Sequence, residues 1–195
     1  MNALKIKTNK VKQIIESEHK FEILVGEKLT REQIAEVVEL DKKVYESKYL
    51  TNVHQLLDRY KANTRSFIVV YNEKKNIVGY MNLYPVTDKL YDDIREVRLD
   101  TDVDISSDDI LPYESGGKYY LYIMSVVVKP KYQGTNVSKL LSKGFQEYLK
   151  ICKEKHVTIE NVLAIAVSNS GARFSKKLGL KKKNVIKGNI ILELK

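Results

Sequence analysis

The chain has one cysteine (Cys152), three prolines and three histidines among 195 residues. A lone cysteine has no internal partner, so no disulfide framework supports this fold, which fits a reducing cytoplasm. Cys152 lies in an apolar helical run, where a packed thiol is expected rather than a nucleophile. With few prolines and no repeat or low-complexity tract, there is no linker at which to divide the sequence, so one domain over residues 1–195 is expected. Long apolar runs are missing as well: no window approaches the 18 uncharged apolar residues of a membrane span. The first twenty residues carry charges throughout and lack the apolar stretch of a secretory signal. His19, His54 and His156 lie in no motif, and no metal is expected.

Charge is plentiful but uneven. The net charge is +9, yet residues 88–109 hold nine carboxylates against Lys89, Arg95 and Arg98, so that stretch is −6 and the remainder +15. A basic body attracts polyanions such as nucleic acid, membrane surfaces or nucleotide phosphates, and it equally suits a solvated lysine-rich surface. No nucleic-acid motif accompanies it. Asp100, Asp102 and Asp104 open like a calcium loop, but Ile105 stands where such a loop needs Gly and Leu111 where it needs the bidentate Glu, which excludes calcium. The remaining readings of the acidic stretch (87–117 as an insertion) are a solvated loop or a surface that attracts a cationic substrate.

Hydrophobic spacing outlines the elements. Residues 5–17 suit a basic amphipathic helical extension within 1–20, and 21–25 a first strand. Thr30, with Gln33 three residues on, predicts a capped helix through Ile34, Val37 and Val38. Thr51 is the expected cap of a second helix through Leu56, Leu57 and Tyr60. Residues 66–71 and 76–86 read as a hairpin around Asn72–Lys75, and 90–94 as a short helix. The run 118–128, KYYLYIMSVVV, is the strongest strand signal. A helix over 137–152, a strand over 161–167, a helix over 172–178 closing at Gly179 and a strand over 190–194 complete the order. This mixture of hairpin and alternating elements predicts an α/β (α+β) fold, a mixed sheet with helices on both faces. A strand feeding a helix through a polar turn also invites a phosphate at the helix N-terminus.

Two segments carry chemistry. The first is Ser125-Val126-Val127-Val128-Lys129-Pro130-Lys131-Tyr132-Gln133-Gly134-Thr135-Asn136-Val137-Ser138. It resembles the acyl-CoA signature of GNAT acetyltransferases, in which a strand ending Val-x-Pro runs into Gln/Arg-x-x-Gly-x-Gly/Ala and a helix. Diphosphate needs exposed backbone N–H groups at a helix start, unobstructed by bulky side chains. Asn136 takes the usual Gly and Ser138 the usual Gly/Ala. The second segment, the strand Val162–Val167 followed by Ser168-Asn169-Ser170-Gly171-Ala172-Arg173-Phe174-Ser175-Lys176-Lys177-Leu178-Gly179, resembles the later motif of the same family. Ser168 matches its Asn/Ser, Gly171 its small residue, Phe174 its aromatic and Ser175 its tyrosine. The motif match covers about 125–180 and the architectural match 21–194.

The resemblance implies a single-domain, mostly antiparallel GNAT-like sheet and transfer of acetyl from acetyl-CoA to a primary amine by direct attack. The acceptor would be a small cationic amine or a lysine or N-terminal amine of a protein. Cofactor-binding positions would be Val126, Val127 and Val128 through the strand edge, Gln133, Gly134, Thr135, Asn136, Val137 and Ser138 through the turn, and Ser168. The tyrosine that commonly protonates the leaving thiolate is here Ser175. Histone-acetylating members place a glutamate six residues before the valine matching Val128, and that position is Tyr122, which can order a water. Tyr122 and Ser175 are thus the catalytic candidates, with Glu114 a second candidate base. Dimers are frequent in the family. A weakly catalytic acyl-CoA sensor or partner-binding module is the alternative, and docking on RNA a third.

Overall fold

The computed structural model describes residues 21–96, 98, 104–186 and 188–194. The helical extension expected at 5–17 lies outside them, as do Asp100 and Asp102. Seven strands form one sheet in the order β1-β2-β3-β4-β5-β7-β6: β1 (Glu22–Val25), β2 (Phe67–Tyr71), β3 (Ile77–Val86), β4 (Lys118–Val128), β5 (Thr158–Ala166), β6 (Lys181–Ile186) and β7 (Asn189–Leu194). Only β4 and β5 run parallel, and every other pairing is antiparallel. The sheet is therefore mixed and mostly antiparallel, as the sequence implied.

Helices cover both faces. On one lie α1 (Arg31–Asp41), α2 (Val53–Ala62) and α3 (Asp88–Arg95), and on the other α4 (Val137–Glu154) and α5 (Asn169–Lys177). The alternation of strand residues sorts their side chains between them. Ile68, Val78, Met81, Leu121 and Ile123 meet Leu141, Phe145 and Tyr148 of α4, while Phe67, Val69 and Tyr80 meet Ile34, Val37 and Leu56. Tyr84, Tyr122 and Leu163 pack with Leu90, Tyr91 and Ile94 of α3. Burying such stripes is what stabilises these short helices, since isolated helices of this length are marginal in water.

Caps set the boundaries. Thr30 and Gln33 form the expected capping box. The second helix is capped by Asn52 rather than Thr51: the Asn52 carboxamide accepts Gln55 N–H at 3.0 Å, and Gln55 reaches back to Asn52 N–H. Thr87 and Ser168 cap α3 and α5. Strand β6 was not anticipated. Its residues Lys-Lys-Lys-Asn-Val-Ile lack apolar alternation because they form an exposed edge, where lysines discourage further pairing. Cys152 is packed in the α4 core, as expected.

Between α3 and β4 the described part of the acidic stretch is fastened down. Leu111 N–H donates to Pro85 O at 2.9 Å and Thr87 N–H to Asp109 O at 3.0 Å. Arg59 and Asn63 donate side-chain hydrogen bonds to Ile105 O and Leu111 O, both at 2.9 Å. Among the described residues no helix is long and apolar enough to cross a membrane.

Candidate active site

The site begins with a defect in β4. Asn82 and Leu83 are consecutive on β3, yet they pair with Ser125 and Ile123 on β4, so Met124 is an extra residue. Such a bulge bends and twists its strand. Beyond it the strands part: β4 pairs with β5 only from Lys118 to Ile123, while β5 continues to Ala166 against β7 and β4 to Val128 against β3. The result is a wedge-shaped cleft of about 510 Å³, a size suited to a slender organic ligand. Met124, Val126 and Val128 line one strand edge, and Ala164–Val167 the other. The parted edges leave backbone N–H and C=O groups of adjacent strands facing a gap, where a ligand's amides can pair with them.

At the open end β4 passes through a 3-10 turn, Pro130–Tyr132, into α4. Gly134 has φ +82°, and a Cβ there would meet nothing within 4 Å, so glycine serves the backbone conformation and not space. Asn136 has φ −71° and ψ −5°, ordinary right-handed geometry, so no left-handed tolerance is asked of it. Gly79 on β3 meets the head of α4 closely: a Cβ there would lie 2.6 Å from Val137 Cγ1. Among the described residues α4 has no side-chain cap, in contrast to the capped α1, α2, α3 and α5. Val137 N–H reaches the Thr135 hydroxyl at 3.4 Å, and Gly134 and Ser138 line the cleft, so the positive end of the helix dipole lies beside its mouth, an arrangement suited to an anion.

The far wall is α5. Ser168 lines the cleft while its hydroxyl accepts Gly171 N–H at 3.1 Å. Phe174 and the buried Ser175 line the cleft from the same helix. The fourth side comes from the segment after α1: Val44, Tyr45, Glu46 and Tyr49. It is tied to both strand and helix. Val44 and Tyr45 N–H donate to Asp41 O at 2.9 and 2.8 Å, and the Tyr45 hydroxyl reaches Val126 O at 3.4 Å.

Of the residues picked from sequence, Val126, Val128, Gln133, Gly134, Ser138, Ser168 and Ser175 line this cleft. Val127 and Val137 are fully buried with their side chains in the two cores, so only their backbone can face a ligand. Thr135 and Asn136 shape the turn, with the Thr135 hydroxyl donating to Tyr132 O at 2.6 Å. Tyr122 is 1% exposed, packs on the α3 side and does not line the cleft. Glu114 lies near the far end of β4, its N–H donating to the Tyr119 hydroxyl at 2.8 Å, and it too is absent from the lining.

Sequence reasoning missed the Val44–Tyr49 wall, which has no motif, and a buried polar group behind the bulge. The Tyr80 hydroxyl donates to the Asp41 carboxylate, and the Ser125 hydroxyl is its other neighbour. Burial raises the Asp41 carboxyl to about 6, against the opposing pull of the Tyr80 hydrogen bond, and burial with the adjacent carboxylate raises the Tyr80 phenol well above its ordinary value. Asn82, 2% exposed and opposite Ser125, donates to the Tyr84 hydroxyl at 3.0 Å, while among the described residues its Oδ1 finds no donor. Arg59, 1% exposed, reaches Met124 Sδ at 3.6 Å. No group of three or more metal-ligating side chains occurs among the described residues.

A family model described as the acetyltransferase (GNAT) family matches residues 34–180. In fold the chain is similar to Ard1 from Thermoplasma volcanium, with 14% identity over 89% of this chain and 95% of that one and a TM-score of 0.57. It is similar to Arabidopsis thaliana Naa50 in complex with the bisubstrate analogue CoA-Ac-MVNAL, with 13% identity, 90% and 98% coverage and a TM-score of 0.57. PaiA N-acetyltransferase from Thermoplasma acidophilum in complex with coenzyme A gives 18%, 90%, 98% and 0.51. At these identities the likeness is one of fold. A search of curated protein sequences returns no match.

Proposed function

The chain belongs to the acetyltransferase (GNAT) family, and from that premise we propose that it transfers an acetyl group from acetyl-CoA to a primary amine by direct attack in a ternary complex. The observation that carries this reading is the parted β4/β5 edge leading straight into the uncapped start of α4. An acyl-CoA needs both: strand groups for the two amides of its pantetheine arm, and open helix amides for its diphosphate. The residues fit such a donor, with Gln133 to Ser138 at the phosphates and Val126 to Val128 along the arm.

Each element has a task. A backbone N–H of the bulged strand polarises the thioester carbonyl, fixed in place before reaction so that little reorganisation is needed. The amine enters past Val44, Tyr45, Glu46 and Tyr49, where the exposed Glu46, in a surface ion pair with Lys48 at 3.0 Å, can exchange that partner for a cationic acceptor. That role falls to Glu46 because the described part of the acidic stretch is fastened to α2 and β3 instead of lining the cleft. The mixed aromatic and apolar wall suits an amine carried on a side chain or peptide start. Tyr122, buried against α3 and outside the lining, is left a packing role rather than the catalytic one expected of it. Ser175 stabilises the leaving thiolate by hydrogen bonding, since a hydroxyl is a far weaker acid than a thiol and does not surrender its proton outright. Attack forms the C–N bond and breaks the C–S bond. The sulfur keeps the electron pair, and the amine must shed one proton.

Calorimetric titration with acetyl-CoA, with CoA and adenosine as controls, tests the donor site. Micromolar binding that requires the diphosphate is expected, followed by thiol release in a screen of amines and short peptides. Tight binding with no turnover on any amine would point to an acyl-CoA sensor, the reading that Ser175 in the tyrosine position favours. No binding would overturn both.

A further inference from the structure

The amine's proton needs a destination, and the residues named from sequence do not provide one. Tyr122 is a phenol, a poor base at neutral pH, and Ser175 faces the leaving group. The group behind the bulge offers what is missing. Three features converge there on the α1 face of the sheet. Ser125 is not itself in the lining, but it is only half-buried and lies between Met124 and Val126, both of which line the cleft. Its hydroxyl neighbours the Tyr80 hydroxyl, which donates to the Asp41 carboxylate. Asp41 sits at the end of α1, and its own carbonyl holds Val44 and Tyr45 on the acceptor wall. Strand and wall are thus joined at one residue, the strand through the Asp41 carboxylate and the wall through its backbone carbonyl.

We propose that Asp41 is the proton acceptor for the amine, reached through Ser125 and Tyr80. The inference rests on the acetyltransferase reading above. A water in the cleft takes the amine's proton and passes one on through the Ser125 hydroxyl to Tyr80. Tyr80 in turn delivers its own proton to the Asp41 carboxylate, so each hydroxyl ends as it began and one neutral carboxyl is formed. Asp41 then releases the proton to solvent, to which it remains 9% exposed. The open Oδ1 of Asn82, opposite Ser125, is placed to accept a hydrogen bond from a water held at the same point.

Chemistry favours this carboxylate over others nearby. A base works best when its proton affinity lies near the working pH, and burial brings Asp41 to about 6. Exposed carboxylates such as Glu46 have no comparable link to the bulge. The titratable groups that face the Asp41 carboxylate are few: Tyr80 from β3 directly, and Tyr45 from the acceptor wall through Tyr80. The Tyr80 phenol, raised well above its ordinary value by burial and the adjacent carboxylate, stays neutral around pH 6, so the acid side of the kcat profile is assigned to Asp41.

The test uses the full chain with acetyl-CoA and the best amine from the screen. Asp41→Asn keeps an acceptor oxygen for Tyr80 and so preserves the packing. Expected are a fall in kcat of roughly 100-fold, an unchanged Kd for acetyl-CoA, and loss of the rise in kcat with pH around 6 that the wild type shows. Asp41→Glu should restore part of the rate and the pH dependence. Tyr80→Phe, which removes only a hydroxyl, should lower kcat in the same direction and serves if the Asn variant fails to fold. A working wild type whose Asp41→Asn or Tyr80→Phe variant keeps its kcat and its acid limb overturns the relay alone. A wild type that binds acetyl-CoA and acetylates nothing overturns the parent reading, and the relay with it.

Discussion

The two faces of the sheet are built from the same strands, yet they bury different chemistry. On the α4 and α5 side the core is mostly apolar: Val137, Leu141 and Phe145 meet Ile68, Met81 and Ile123, and its polar contacts are between neutral groups, such as the 2.8 Å hydrogen bond between Tyr113 and Tyr148. On the α1 to α3 side the sheet buries Asp41, Arg59, Asn82 and Glu193 beside its aliphatic residues. Glu193 is answered by three partners, Tyr91, Arg95 and Lys183, each at 3.1 Å. Asp41 has the Tyr80 hydroxyl and no cation that shows in its titration. A buried carboxylate costs stability unless compensated, so Glu193 is held by its partners while Asp41 is left with one. On the proposed function the α4 face would carry the donor, whose shape is fixed, on a helix start backed by an apolar core. The α1 face would receive the variable acceptor and its proton, a task that requires ionisable groups.

Four substitutions probe this contrast. Phe145→Ala on the apolar face should cost about 3–5 kcal/mol in urea unfolding, because a 1% exposed ring leaves a cavity. A loss under about 1 kcal/mol would mean that the face is less rigid than described. Asp41→Asn should do the opposite at pH 8. Its carboxyl is raised in the folded state, so the favourable protonated form is fully present below the ordinary value of 3.8 and is lost as pH rises through about 6. The variant should therefore exceed the wild type by about 1–3 kcal/mol at pH 8, with the gap closing toward pH 4. A gap independent of pH would deny that the carboxylate is the strained element.

Gly134→Ala, at a left-handed φ with open space around it, should cost about 1 kcal/mol and weaken acetyl-CoA binding several-fold in calorimetry. Asn136→Gly should change that Kd by less than about twofold, since φ −71° asks nothing special of the residue. A large gain would show that the asparagine obstructs the turn.

Much of the donor side was legible in the chain. Residues 118–128 are β-branched, aromatic or otherwise apolar apart from Lys118 and Ser125 and form β4 with those bounds, and the Thr30 capping box stands where the spacing placed it. The turn from β4 into α4 could be read because its residues are contiguous. The opposite wall of the cleft could not, because its parts are remote and locally unremarkable. Asp41 and Tyr80 are 39 positions apart; Tyr80 sits in an apolar run that reads as ordinary core, and Asp41, followed by Lys42 and Lys43, reads as a solvated helix end. Val44 to Tyr49 form no regular alternation, and the bulge at Met124 is a property of pairing with β3 that a single strand's sequence does not display. Lys181 to Lys183 concealed β6 for a related reason: an edge strand need not bury either face.

The packing of Cys152 has a practical consequence. It is the only thiol in the chain, it is buried against α4's neighbours, and burial raises it to about 11 despite the Tyr113 hydrogen bond. A folded enzyme of this kind contributes almost no thiolate near pH 8, and its sulfur is shielded from bulky disulfide reagents. Colorimetric detection of released CoA can therefore run continuously with the protein present, without a slow background from the catalyst. A creeping blank would itself be a sensitive alarm that α4 had come away from the sheet.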